Sequence, residues 1–244
     1  EEMREIVIDM NKNQNKNTIQ ALELLLRVRQ VCCHPQTYLN GIYKKTKRPT
    51  PIWKHGCTKL NAITKSIGEI PKNDKALVFC HFIKEMDAYC LRLEKMGIKT
   101  ARLDGSMKME ERTFNVETFK TDPQCKVFVI QIHTGGVGYN FQMANWVYIT
   151  SPTWNPSLQH QVIGRAHRNG QTKPVFVNIY TISNSDEGSY IEDYILQLQQ
   201  RKRVMIAELL NDPRISENDT SVSHLSGAIS FTDVVRMFKP RTQI

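Results

Sequence analysis

The strongest constraint on this chain is an alternation. Short apolar runs rich in β-branched and aromatic residues (KALVFC at 75–80, KTARL at 99–103, KVFVIQI at 126–132, WVYIT at 146–150, PVFVNIYTI at 174–182) are separated by longer amphipathic stretches. Runs of that length and composition read as strands, and intervening helices can return the chain only to parallel neighbours. The strands carry little polar alternation, as expected when both faces of a sheet are covered. The predicted fold is therefore α/β, a parallel sheet with helices on both faces. FIKEMDAYCLRLEKMG (82–97) and MEERTFNVETFK (109–120) supply two of those helices, and residues 156–168 a third.

Outside this region the pattern differs. NKNQNKN (11–17) reads as a polar linker, followed by a helix, TIQALELLLRVRQVC (18–32), that His34-Pro35 stops. Residues 40–56 look irregular. A long helix is predicted from Glu187 to Leu210, ended by Asn211-Asp212-Pro213, and a polar tail carries a capping-box pattern, Ser230-x-x-Asp233, before a short terminal helix. The expected organisation is a helical arm and basic loop at 1–56, the sheet domain at 57–182, a brace helix at 183–211 and a mobile tail at 212–244.

Charge narrows the function. The net charge is +9, and residues 42–75 hold nine Lys and Arg against Glu69 and Asp74. Such a cluster suits a polyanionic partner. No uncharged apolar run approaches the roughly 20 residues of a membrane span. The six cysteines form no C-x-x-C pair, so no zinc cluster is expected, and no metal ligand set is assigned.

In an open parallel sheet, ligands sit beyond the carboxyl ends of the strands. Two segments there can carry chemistry. His133-Thr134-Gly135-Gly136-Val137-Gly138-Tyr139-Asn140 follows a strand, and its glycines let backbone N–H groups approach an anion. As a dinucleotide fingerprint it fails, because Phe141 occupies the place of the third glycine. QHQVIGRAHRNGQ (159–171) sets Gln161, Arg165 and Arg168 at i, i+4, i+7, one face if the helix continues, with no acidic residue from 154 to 171. Two guanidiniums without local carboxylates suit a phosphate chain.

These motifs resemble a known family. Q-x-x-G-R-x-x-R is similar to motif six of superfamily-two helicases, and RAHRNGQ to the Snf-two family of DNA translocases. KALVFCHF resembles motif four, RLDGSMKMEER (102–112) the Leu-Asp-Gly-Ser segment, and TGGVGYNFQMANWVYITSPTWNPSLQHQ motif five and the segment leading into motif six. LRVRQVCCHP and CTKL resemble the branch containing Rad-five, Rad-sixteen and the helicase-like transcription factor. Gly164 stands where that family usually has Asp, Tyr139 and Phe141 where it has leucines, and His81 where it often has Gln.

The resemblance implies a RecA-like second lobe of an ATP-dependent double-stranded-DNA translocase. Arg168 and Arg165 would act as catalytic arginine fingers. Gln161, Gly136, Gly138 and Asn140 would line the ATP cleft, and His81, Ser106, Arg112, Thr134 and Trp154 would contact DNA. The sequence contains no Gly-Lys dipeptide, hence no G-x-x-x-x-G-K-[ST] loop, and no acidic pair ends an apolar strand. The phosphate loop and the Mg²⁺ ligands are thus expected on an N-terminal RecA-like lobe outside this chain. Partners implied are duplex DNA, nucleosomes among its forms, in a nuclear setting. Two alternatives stay open: a non-catalytic DNA- or protein-binding module, and a lobe of a strand-separating helicase.

Overall fold

In the computed structural model the residues described are 14–44, 48–135, 138–182 and 191–210. They form two compact units, one of residues 30–181 and one of the described residues before 30 and after 181.

The larger unit is a five-stranded parallel sheet of order β2-β3-β1-β4-β5. Its strands are β1 (Ala76–Cys80), β2 (Lys99–Leu103), β3 (Cys125–Gln131), β4 (Trp146–Ile149) and β5 (Phe176–Ile179). In register, Ala76 lies opposite Val127 on one side and Trp146 on the other. All five residues of β1 are buried, as a central strand requires. Alternate residues serve opposite cores. Leu77, Phe79, Phe128, Ile130, Val147 and Ile149 pack with Val116, Phe119, Phe141 and Val162, while Val78, Val127, Val129 and Tyr148 pack with Ile63, Ile67, Met86, Tyr89 and Leu93.

The helices, numbered along the chain, are α1 (Gln14–Cys33), α2 (Pro35–Tyr43), α3 (Thr58–Glu69), α4 (Ile83–Lys95), α5 (Met109–Thr121), the single turn α6 (Ile132–Gly135), α7 (Pro156–Ile163) and α8 (Ile191–Leu210). Gly97, at φ +73, lets the chain leave α4 by a left-handed turn that other residues rarely adopt.

Three expectations are corrected here. Residues 14–17, read as linker, are the first turn of α1. Pro35 stops α1 but also opens α2: a proline is compatible with the first turn of a helix, and His34 Nδ1 accepts the Gln36 N–H at 3.1 Å. The helix expected over 156–168 ends at Ile163. Residues 183–190, the first part of the expected brace helix, and the terminal helix beyond 211 lie outside the described residues, as does Gly136.

At the amino ends of the strands, Asp74 joins β1, β4 and β5. Its Oδ2 accepts from Asn145 Nδ2 at 2.8 Å and Trp146 Nε1 at 2.9 Å, and its Oδ1 from Lys173 Nζ at 2.6 Å. Desolvation works to raise this carboxyl, but the bonds from Asn145, Lys173 and Trp146 outweigh it and hold the pKa at about 2. An unfolded Asp titrates near ~3.9, so the staple's contribution is whole above roughly pH 4. It is lost as the pH falls through 2. Asp74→Asn is expected to cost about 1–3 kcal/mol at neutral pH and to flatten the acid limb of the stability curve, which urea melts from pH 7 to pH 2 would measure.

Candidate functional site

Loops leaving the carboxyl ends of the strands carry most of the predicted site residues. They fall into two groups.

The first lies beyond β2 and β3. Asp104 closes β2, and its Oδ1 accepts both the backbone N–H and the hydroxyl of Ser106, at 2.8 and 2.5 Å. Its Oδ2 accepts from Arg102 Nε at 2.7 Å, while Arg102 Nη1 reaches Asp87 at 2.6 Å. Burial would raise the Asp104 carboxyl, yet the Ser106 and Arg102 bonds hold it below its ordinary value, so it is anionic and the turn stays closed. Arg112 donates to the carbonyls of Gly105 (2.9 Å) and Met107 (3.0 Å). Across the gap, Gln131 Oε1 accepts from Gly105 N at 2.9 Å and from Thr134 Oγ1 at 3.4 Å. Ser106, Arg112 and Thr134, far apart in sequence, thus meet at one edge.

His81 does not join them. The expectation that it faces DNA is corrected: the ring is buried, and its Nε2–H donates to the Ser151 carbonyl at 2.7 Å. The reason is topological. β1 and β4 are neighbours, so the residues that follow them abut. Glu85 completes this closure by accepting from the N–H groups of His81 and Phe82 at 2.9 and 3.2 Å, and its complete burial raises its pKa. Trp154 is half-buried in the turn before α7, next to Asn155, whose Oδ1 caps that helix through Ser157 N at 3.0 Å.

The second group lies around α7. Gly164 caps the helix, and beyond it the chain tightens, with Arg165 N to Val162 O at 3.2 Å and Ala166 N to Ile163 O at 3.0 Å. The i, i+4, i+7 face therefore does not extend past Ile163. Donors from outside the helix hold the turn that follows it. Phe141 N–H donates to Arg165 O at 2.9 Å, and the Gln171 amide donates to Ala166 O at 3.4 Å. The same amide binds the carbonyls of Gln142 and Ala144 at 2.8 and 2.9 Å. Asn140 Oδ1 accepts from Gln142 N at 3.1 Å, and Gly138 turns with φ +42. Gly170, at φ +98, sits so close to Gln142 that an added Cβ would lie 3.0 Å from its Oε1.

The glycine-rich loop is thus stitched to the arginine turn. Gln161 and Arg168 are exposed and Arg165 is half-buried. Residues 154–171 contain no carboxylate. Among the described residues no group of three or more His, Cys, Asp or Glu is placed to hold a metal ion.

Sequence reasoning missed Asp104, Gln131 and Gln171. A polar residue closing an apolar strand signals the first two. Gln171 ends the RAHRNGQ motif, but its role is not legible there, because two of the carbonyls it holds lie 27 and 29 residues away.

A five-stranded parallel sheet, an ordered Leu-Asp-Gly-Ser turn at one edge and an arginine turn locked to a glycine loop at the other define the C-terminal RecA-like lobe of helicase-type ATPases. Comparisons with known proteins agree. Residues 58–170 match the helicase conserved C-terminal domain. The chain is similar to DNA repair protein RAD5 of Cryptococcus neoformans, 36% identical over 66% of this chain and 13% of that protein. It is also similar to ATP-dependent helicase rhp16 of Schizosaccharomyces pombe, 32% identical over 69% of this chain and 19% of that protein. Helicase-like transcription factor CHR27 of Arabidopsis thaliana is 36% identical over 57% of this chain and 13% of that protein. Among solved structures, the C-terminal part of the Fun30 ATPase domain superposes with a TM-score of 0.54 at 29% identity, over 68% of this chain and 52% of that one. The chain carries the helicase conserved C-terminal domain and is similar to Rad5-like proteins of the Snf-two group, and it spans less than a fifth of the length of the curated relatives named here.

Proposed function

We propose that this chain is the second lobe of an ATP-driven motor that moves along intact double-stranded DNA. ATP with Mg²⁺ binds between it and an upstream RecA-like lobe that supplies the phosphate loop and the metal's carboxylates. Arg168 and Arg165 stabilise charge developing on the transferred γ-phosphoryl group. Gln161, Gly136, Gly138 and Asn140 line the same cleft. Ser106, Thr134, the remaining N–H groups of Arg112 and Trp154 follow the phosphates of the duplex, and His81 is dropped from that set because its ring is committed to Ser151.

The observation that carries this reading is the Phe141–Arg165 backbone bond at 2.9 Å, reinforced by the three carbonyls held by Gln171. Residues 141–144, which follow the glycine loop, are tied to the arginine turn, so movement of one is expected to carry to the other. Opening and closing of the cleft is then transmitted to the DNA edge through the sheet that both loops leave. The relatives' names speak of DNA repair and transcription, in keeping with a nuclear role on DNA; nucleosomes are part of the proposal as one form of that DNA. No helix of the described residues is long and apolar enough to cross a membrane.

The test joins this chain to its upstream lobe and measures ATP turnover with and without duplex DNA, together with displacement of a triplex-forming strand. Turnover is expected to rise with duplex, and the third strand to be released while the duplex stays annealed. Separation of the annealed strands would support the strand-separating helicase instead. Turnover indifferent to DNA, or absent, would leave the non-catalytic binding module.

A further inference from the structure

A second surface has no part in the site above. Between α2, the loop at 50–55 and α4 runs an open groove of about 480 Å³. The loop is held in place: Gln36 Oε1 accepts from Trp53 N at 2.6 Å, Gln36 Nε2 donates to Pro51 O at 3.0 Å, and the Trp53 and His55 rings meet edge-on at 5.0 Å. This wall presents Ile52, 78% exposed, beside Trp53. The opposite wall is α4. Its other face is buried through Met86, Tyr89 and Leu93, whereas Ala88 and Leu91, the latter 54% exposed, look into the groove.

The rim is cationic. Lys84, Arg92 and Lys95 follow the same face of α4. Asp87 is engaged by Lys84 at 2.8 Å and by Arg102 at 2.6 Å. Arg92 and Lys95 form no ion pair among the described residues and stand exposed. Lys54 adds a further exposed charge on the loop side. An exposed apolar strip rimmed by unneutralised cations is complementary to a peptide with the opposite pattern.

Position separates this surface from the DNA edge. α4 starts at the carboxyl end of β1 and runs back along the sheet, so Leu91 lies roughly 12 Å along the axis from Ile83, toward the amino edge. Phosphates have no use for Ile52 and Leu91, and a flat duplex does not fill a concave groove.

We propose that this groove docks an acidic, amphipathic segment of a partner protein, which seats a large apolar side chain between the 50–55 loop and α4 and sets its carboxylates on Arg92 and Lys95. The recognition is of the anchor-in-groove kind, with Arg92 able to bind a carboxylate through two N–H groups. It is independent of ATP chemistry.

The test selects a phage-displayed random 12-residue peptide library on the full chain and measures synthetic versions of the selected peptides by fluorescence anisotropy. Selected peptides are expected to place Asp or Glu around one Leu, Ile, Phe or Trp. The double change Arg92→Glu, Lys95→Glu is expected to weaken them at least tenfold, and Ala88→Arg, which fills the groove, to do the same, with the thermal midpoint of the charge variant unchanged. Selection that yields no such pattern, or peptides that bind both variants as tightly as the parent, would overturn the proposal. So would a short DNA duplex that displaces the peptide and loses affinity in the same variants, since the groove would then be a nucleic-acid surface.

Discussion

Arg168→Ala in the two-lobed ATPase is expected to lower kcat for duplex-stimulated ATP hydrolysis by about 10³-fold or more, the scale on which an arginine finger acts in phosphoryl transfer. The side chain is exposed and packs no core, so the thermal midpoint should barely move. Its backbone bonds, Arg168 N to Ala166 O at 3.2 Å and Gln171 N to Arg168 O at 2.9 Å, are untouched by the change. Loss of turnover without loss of stability is therefore the signature. Arg168→Lys should recover little, because an ammonium cannot present two parallel donors to one phosphoryl group. The KM for ATP should change much less than kcat, since the developing charge exists only in the transition state. Unaltered kcat in Arg168→Ala would remove the finger assignment from this residue. Arg165 gives a different pattern, because its side chain is half-buried. Arg165→Ala is accordingly a poorer probe of chemistry than Arg168→Ala.

Phe141→Ala is expected to destabilise the lobe by about 3–5 kcal/mol, the usual cost of removing a fully buried phenylalanine. The ring stacks at 6.0 Å on Tyr139 and meets Phe128 and Phe119 edge-on at 5.3 and 6.3 Å. Phe119 and Phe128 themselves stack at 4.9 Å, so truncation leaves a cavity within an aromatic cluster that helix and strand residues cannot easily fill. Phe141→Leu should cost only about 1 kcal/mol, since most apolar burial and the N–H to Arg165 remain. Urea melts of the three proteins give the comparison. A loss below about 1 kcal/mol for Phe141→Ala would mean the loop relaxes to refill the space, and the rigid coupling to the arginine turn would fail with it.

Much of the lobe was legible in the chain. The strand runs at 76–80 and 125–131 are apolar because the centre of the sheet is covered on both faces, and residue type alone reveals that. The Leu-Asp-Gly-Ser turn and the arginine segment were visible as motifs because each is local. The helix at α2 was hidden by Pro35, a residue that both stops and starts helices. The tight turn that follows Ile163 was hidden because Phe141 and Gln171, which bind its carbonyls, lie outside that helix.

His81 shows the same division from the other side. The family resemblance implied that it contacts DNA. Whether a ring after β1 faces solvent depends on which strand lies beside β1, and the order β2-β3-β1-β4-β5 puts Ser151 there. Hydrophobic pattern and local motif identified the class of fold and the residue types able to handle phosphates, because those follow from short-range periodicity and side-chain chemistry. Which of those residues point outward, which serve as internal fastenings, and that cations of α4 rim an apolar groove were decided by strand order and by hydrogen bonds between distant segments, interactions that come into being only when the chain is packed.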